Sequence, residues 1–419
     1  MNRVNSLFLI NILSGIGFSI ILPLFPPFGL KNGLPESSIG CLIGIFSLSR
    51  IFISPFTSLL IKKFSRFKLL YFATFVEATS TLLYGIISLL NSLYGFLFSM
   101  FIIRIMHGCC CGIINSLIFS LTISFSDPLE VQNDLADLEL GWCIGITAGP
   151  IFASIFYKIG GYYLPFLILG SFLYLSVILS TKIDKGTIEK YEEIRGNHPF
   201  LKFFTYKEII IAIGLFFSGY ISQAFFYPSL TNYLEKNFGL SVSISSLFFT
   251  IIAISSAIAS KYLDYFTTKY GLYGTALFGL LIVLFGGLMI YPLPPIPNNV
   301  FFVIIGLILV GGGEVLIVNP GLFFISIGIK NIDNDLDELT VNDITSSIHY
   351  FTNNISDFFG PIIGGLLSSY FGFKNCCIII SFEILFYCIF YLIYFHKYIL
   401  EDLKKHNNVI IEKKTEKLN

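Results

Sequence analysis

Long apolar runs, each closed by a short polar interval, follow one another along the whole chain. The first six lie at roughly 4–25, 37–61, 68–90, 93–124, 138–159 and 162–181. After a polar stretch, six more lie at roughly 207–231, 242–263, 272–292, 299–329, 344–370 and 375–397. A helix needs about 20 apolar residues to cross about 30 Å of hydrocarbon, so each run predicts one transmembrane helix. The joints fall at Lys31 to Ser38, Ser65 to Lys68, Ser126 to Asp137, Pro292 to Asn299 and Asn331 to Asp343. The pattern predicts an all-α integral membrane protein with 12 transmembrane helices in two six-helix bundles. These are a bundle over 1–181, a cytoplasmic linker over 182–206, a second bundle over 207–398 and a cytoplasmic tail over 399–419. The first run has neither a basic leader nor a small-residue cleavage site, and it continues into LPLFPPFG, so it is expected to remain as a span.

A repeat relates the two sets of six. Placing Pro150 on Pro361 aligns GITAGPIFASIFYKIGGY, residues 145–162, with SDFFGPIIGGLLSSYFGF, residues 356–373. Both copies carry Gly-Pro (Gly149-Pro150 and Gly360-Pro361), small residues three and four positions later, and a Gly-aromatic pair further on. The copies sit half a chain apart. That spacing predicts pseudo-symmetric halves, the plan on which many transporters are built.

Composition adds the class, and charge adds the orientation. Hydrophobic residues make up 55% of the chain and charged residues 12%, against roughly 25% charged in soluble domains. Mean hydropathy is +0.80. Net charge is zero, so no basic field points to nucleic acid. With both termini inside, all but six of the 26 basic residues fall in cytoplasmic segments. The exceptions are Lys31, Lys158, Lys236 and Lys374 in outer loops and Arg50 and Arg104 within spans. This asymmetry predicts cytoplasmic termini; with no recognisable sorting signal, plasma membrane and intracellular vesicle membrane both stay open. One inner loop, Ser126 to Asp137, has acids and no base, which the rule tolerates because acids contribute little to orientation. The eight cysteines, among them Cys109, Cys110, Cys111, Cys376 and Cys377, form no CxxC pair and read as small packing residues. No nucleotide loop, zinc-ligand set or nucleophile elbow is present, so the chain is not expected to be an enzyme or to hold a cofactor or metal. His198 in the linker and His406 in the tail read as solvated side chains. A monomer is expected.

Candidate chemistry lies in the charges inside the spans: Arg50, Glu77, Arg104, Glu139, Glu314, Asp357 and Glu383. At roughly 3 kcal/mol each, leaving all of them against lipid would cost on the order of 20 kcal/mol, so most must face the protein interior, water or one another. Glu77 and Glu383 are isolated acids on apolar helices and are the weakest candidates. In the eleventh span Ser346, Tyr350, Asn353, Asn354 and Asp357 recur at helical spacing, and in the fourth Arg104, His107, Cys111 and Asn115 do so. Each stripe fits a water-filled path or a set of interhelical hydrogen bonds. Glu314 sits in LVGGGEVLIVNPG, where Pro320 withdraws an amide and can bend the helix. Burial penalises its charged form unless a partner compensates, which suits either a group that exchanges protons or a structural partner for a base.

These residues resemble a family. Arg104 and Gly108 followed by small residues, and Gly145, Gly149, Pro150, Ala153 and Ser154, are similar to the fourth- and fifth-helix signatures of the major facilitator superfamily. The second signature is typical of its proton-driven antiporters. Within it the chain most nearly resembles the vesicular amine and polyamine transporter branch. The stretch 136–166, with Glu139, Gly149-Pro150, Tyr157 and Pro165-Phe166, resembles the fifth helix of that branch's polyamine-transporting member. NISDFFGPIIGG, residues 354–365, resembles its eleventh helix, with Asp357 where the branch has an acid. LPLFPPFGLKNGLPESSIGCLIGIFSL resembles its first helix, loop and second helix. There are departures. Ser58, Lys62, Ser65 and Arg66 stand where the superfamily's loop signature would have Gly, Asp, Gly and Arg, and the second half keeps only Asp264, Lys269 and Gly271. Tyr350 replaces an acid of the monoamine carriers, which argues against monoamines, and Arg50 replaces an acid of the polyamine-like member.

The resemblance implies alternating access about a site near the bilayer midplane, with protons exchanged for an organic cation such as an amine or polyamine, or a related small metabolite. Carboxylates would supply counter-charge and aromatic faces cation–π attraction. Glu139, Glu314 and Asp357 are the candidates for proton coupling or cation contact, with Arg104 and His107 modulating them. Asn353, Asn354, Tyr350, Tyr220, Gln223, Tyr227 and Asn11 with Ser14 are further candidate lining residues. Gly145, Gly149, Pro150, Gly360 and Pro361 form the structural antiporter motif. Two alternatives stay open: a facilitator or symporter of an anionic or neutral solute, which Arg50 and Arg104 would suit, and a transporter-like receptor that moves nothing.

Overall fold

Thirteen helices make up the regular structure among the described residues of a computed structural model, which describes residues 3–90, 92–126, 130–183, 206–291, 297–334, 336 and 338–416. They are α1 (Arg3–Ser19), α2 (Ile21–Lys31), α3 (Glu36–Phe64), α4 (Arg66–Ile87), α5 (Leu93–Phe125), α6 (Val131–Gly160) and α7 (Tyr163–Lys182). The second half supplies α8 (Lys207–Ala224), α9 (Leu230–Phe238), α10 (Val242–Lys261), α11 (Leu263–Ile290), α12 (Val300–Ile332) and α13 (Glu338–Glu416). Most of the expected linker, residues 184–205 with His198, lies outside the described residues.

Ten stretches among the described residues are long and apolar enough to cross a membrane, and one of them, Thr340–Ile399, is 60 residues long. A reversed backbone at Gly372 (φ 76°, ψ 157°) divides that stretch into two arms. The seventh apolar run departs from its expected single helix. It leaves helical form between Ala224 and Leu230, around Pro228, which has no amide to donate and disfavours helical geometry in the residue before it. The first run keeps helical backbone at Ile20 (φ −60°, ψ −33°), where α1 meets α2 ahead of Pro23, Pro26 and Pro27, and Arg3–Lys31 is one span.

The repeat is visible in the backbone. Positive φ occurs among the described residues at Gly33, Ser65, Gly161, Gly239, Gly271 and Gly372. These fall into three pairs spaced about half a chain apart: Gly33 with Gly239, Ser65 with Gly271, and Gly161 with Gly372. Gly161 follows Pro150 by the same interval as Gly372 follows Pro361. In each pair the chain reverses between consecutive spans in a conformation that side chains resist, which is why glycine holds five of the six positions. Ser65 (φ 64°, ψ 152°) occupies the sixth and stores backbone strain of order 1–3 kcal/mol.

The chain forms two compact units. The first contains Met1–His198, Phe225–Thr250 and Asp357–Tyr370; the second contains Pro199–Ala224, Ile251–Ser356 and Phe371–Asn419. A core of the first unit joins Leu7, Leu70, Ile114, Leu117 and Leu121. That of the second joins Leu215, Phe216, Leu280, Ile317, Ile325 and Tyr391. Small residues let backbones meet in both, as membrane helices require where lipid offers no hydrophobic drive for association. In the second unit α11 and α12 approach at Gly279 with Gly313 and at Gly286 with Gly306.

Candidate functional site

In the second unit, three consecutive glycines of α12 aim one carboxylate. Gly311 packs on the Ile252 carbonyl of α10, whose Ser256 Oγ donates to the Gly311 carbonyl at 2.9 Å. Gly313 packs on the Gly279 carbonyl of α11. Successive helical positions turn by about 100°, so with those two faces occupied the next residue, Glu314, points at a third neighbour, α8. There Gln223 Nε2 donates to Glu314 Oε2 at 2.8 Å, and Gly219, which has no side chain to intervene, lies close by. Glu314 is 9% exposed. One turn before Gln223, the Tyr220 hydroxyl hydrogen-bonds His349 of α13, whose ring also stands edge-on to Phe216. Tyr350 packs its ring 5.5 Å from that of His349. Carboxylate, amide, phenol, imidazole and aromatic faces therefore gather on α8, α12 and the first arm of α13. Pro320 leaves α12 continuous from Val300 to Ile332. Asn353 and Asn354 are half-buried on α13, and Asn354 Nδ2 donates to the Tyr350 carbonyl at 2.7 Å. Glu383 on the second arm of α13 accepts from Ser218 of α8 at 3.2 Å.

The first unit holds the other candidates. Glu139 is exposed on α6, and Asp357 is half-buried, within reach of the field of Arg50. Arg50 itself lies over the rings of Phe46 (5.9 Å) and Trp142 (5.6 Å). Tyr227 is buried, with its ring 6.3 Å from Phe249. Asn11 is buried at the contact of α1 with α6, where its Nδ2 donates to the Leu138 carbonyl at 2.7 Å. Gly145 and Gly149 serve that same contact: Gly145 meets Gly15 and the Ile12 carbonyl, and Gly149 meets Ser19.

The Arg104 stripe is sealed in packing. Arg104, His107 and Cys111 are all inaccessible. Arg104 Nε donates to the Leu42 carbonyl at 3.0 Å and Nη2 to the Ile43 carbonyl at 2.7 Å, fastening α5 to α3. The Phe46 ring lies 4.7 Å from the same guanidinium, and Gly108 brings α5 against the Phe46 carbonyl. Of the two readings open to this stripe, the contacts are those of interhelical hydrogen bonding.

The second Gly-Pro forms a seam with α3. Gly40 meets the Pro361 carbonyl, Gly44 the Phe358 carbonyl, and Gly365 the Glu36 carbonyl. Ser37 N donates to Ser369 Oγ at 2.9 Å at the end of this seam. Near it, Lys31 and Glu235 form an ion pair at 3.5 Å, and Ser154 and Ser243 bond to each other. A crevice of about 540 Å³ on the flank of α3 and α5 is lined by residues such as Ser38, Cys41, Phe98 and Phe101; its lining includes no carboxylate, so it is no candidate for the site.

A family model described as Major Facilitator Superfamily matches residues 7–329. The chain belongs to the Major Facilitator Superfamily. It is a multi-pass membrane protein and a transporter, not an enzyme. The carrier is 25% identical over 362 residues to the MFS-type transporter SLC18B1 of Rattus norvegicus, covering 85% of this chain and 78% of the relative. It is 21% identical to Multidrug resistance protein 1 of Bacillus subtilis (strain 168), covering 84% and 86%. The nucleoside transporter NupG superimposes with a TM-score of 0.72 at 13% identity, covering 94% of this chain and 99% of that structure, a likeness of fold alone.

Two groups in the carrier went unrecognised in the sequence. His349 lies between Ser346 and Asn353 at helical spacing and so shares their face, a signal passed over beside Tyr350. Glu77 looked isolated, yet it forms the centre of a buried polar cluster with Ser14, Tyr84 and His107. Its partner on α4, Tyr84, stands two helical turns away on the same face.

Proposed function

We propose that this carrier exchanges protons for an organic cation of the amine or polyamine kind, and that Glu314 is the carboxylate that meets the cation. The observation that carries this is the setting of Glu314: a buried acid aimed by flanking glycines, held by the neutral donor Gln223, and accompanied by Tyr220, His349 and Tyr350. The Gln223 amide orients the carboxylate without bringing a formal charge of its own. Aromatic faces nearby add attraction to alkylammonium groups. Glu139 and Asp357 are proposed as further acids on the path, with Asn353, Asn354 and Tyr227 as lining groups.

The arginines favour this over an anion carrier, because Arg104 is engaged with the Leu42 and Ile43 carbonyls and Arg50 with aromatic faces. The similarity to SLC18B1 and to a multidrug resistance protein supports the same class. In this proposal the bodies 1–181 and 207–398 alternate access and the termini are cytoplasmic.

The test is uptake of radiolabelled spermidine and of ethidium into proteoliposomes under an imposed pH gradient. Accumulation above equilibrium, collapsed by a protonophore, is expected for at least one probe. Absence of gradient-driven uptake for these and a broad set of other amines would reject the proposal.

A further inference from the structure

The first unit contains a second buried acid that the cation site does not use. Glu77 of α4 is fully buried. Ser14 Oγ of α1 donates to its Oε1, and His107 Nε2 of α5 stands 3.8 Å from the same oxygen. The Tyr84 hydroxyl bonds His107 Nδ1 at 3.0 Å. With the hydroxyl as donor the neutral ring carries its proton on Nε2, the nitrogen that faces Glu77; with the hydroxyl as acceptor Nε2 presents a lone pair there.

Three buried polar atoms in this neighbourhood have no hydrogen-bond partner: Glu77 Oε2, His107 Nε2 and Arg104 Nη1. Leaving buried polar groups unmet costs about 1–3 kcal/mol apiece, and Glu77 Oε2, an acceptor, is the atom of the three that an added proton satisfies. Gly17 of α1 opens the space beside the pair, since a Cβ there would stand 3.8 Å from His107 Nε2 and 3.9 Å from Glu77 Oε1.

Resting on the antiport reading, we infer that Glu77 and His107 together form the site that binds the coupling proton, separate from the acid that meets the cation. One added proton converts the pair from net negative to neutral, held either as carboxylic acid with neutral imidazole or as carboxylate with imidazolium. The groups around it come from every neighbouring helix. Arg104, Cys110 and Cys111 come from α5, Tyr84 from α4, Ser14 from α1, and Phe46 from α3, while the field of Arg50 reaches His107. From α7 come Phe166 against Tyr84 and Leu173 beside Gly17.

The neighbouring cation supplies a route to movement. Arg104 is fixed by the Leu42 and Ile43 carbonyls, on the turn of α3 between Gly40 and Gly44, the residues of the Pro361 seam. The charge of Arg104 acts on His107, so protonation of the pair changes the balance of forces holding α5 on α3. In this way proton binding acts on the seam through one helix.

Two assays on the full-length protein in proteoliposomes separate this inference from the antiport reading. The first is pH-gradient-driven uptake of radiolabelled spermidine, or of ethidium if that is the probe carried. The second is counterflow of the same probe at equal pH with a protonophore present. Glu77→Gln is expected to lower driven uptake at least tenfold while holding counterflow within about twofold of the parent. If Glu77→Gln proves misfolded by gel filtration, Tyr84→Phe, which removes one oxygen, is expected to show the same split with at least a threefold loss of driven uptake. Driven uptake equal to the parent's, or an equal loss in both assays by a folded variant, overturns the inference and leaves the antiport reading standing. A parent protein with counterflow but no driven uptake overturns both.

Discussion

Glu314→Gln should abolish both driven uptake and counterflow of a cationic probe, lowering each about a hundredfold. The substitution keeps the shape of the side chain and a hydrogen-bonding group for Gln223, which donates to Glu314 Oε2 at 2.8 Å in the parent. What it removes is the negative charge. A desolvated charge pair stripped of one partner loses roughly 2–5 kcal/mol, and 1.4 kcal/mol is a factor of ten, which sets the scale of a hundredfold. Folding should survive, because the glycine contacts that place α12 against α10 and α11 are untouched. Equilibrium binding of the probe to detergent-purified protein, beside the two transport assays, checks this. Binding and transport within threefold of the parent would remove Glu314 from the cation site.

Gly40→Leu should stop transport by keeping α3 away from the part of the first arm of α13 that follows Asp357. At Gly40 even a methyl group would overlap the Pro361 carbonyl, and at Gly44 and Gly365 the neighbouring contacts are also with backbone. Backbone cannot swing aside as a side chain can, and overpacking such a contact costs about 1–3 kcal/mol. Transport is expected to fall tenfold or more. Proximity is read with a cysteine pair at Ser37 and Ser369, whose Ser37 N to Ser369 Oγ contact is 2.9 Å, in a background with the exposed Cys41 and Cys143 replaced by Ser. The pair should cross-link readily where Gly40 is retained and weakly in the Gly40→Leu protein. Equal cross-linking in the two proteins would mean that the seam is not set by this glycine.

The spans were legible in the residues because a bilayer imposes length and polarity so strongly on each segment. The Gly-Pro repeat proved the better guide to detail: its trailing glycines, Gly161 and Gly372, share a positive φ at matching places. The interruption after Ala224 was hidden, since 225–229 is as apolar as a helix, and only Pro228 marked it. For the candidate site, the charges were visible but their grouping was not. Glu314 and Gln223 come from helices separated by 91 positions, and Glu77 and Ser14 by 63, distances over which periodicity carries no information. Arg104 read as a modulator of chemistry; that its guanidinium holds backbone carbonyls is a contact that no pattern of side chains along one helix reveals. His349 was concealed for a simpler reason: the stripe was traced through Tyr350, one residue away.

The account stands on opposed movement of protons and an organic cation through one carrier. The most direct measurement is internal pH, reported by trapped pyranine, in proteoliposomes to which the transported cation is added outside without any imposed gradient. Antiport predicts that the lumen becomes more alkaline as cation enters, at a rate that rises with cation concentration and vanishes in Glu314→Gln. Cation entry with an acidifying lumen, or with no change in pH, would contradict it.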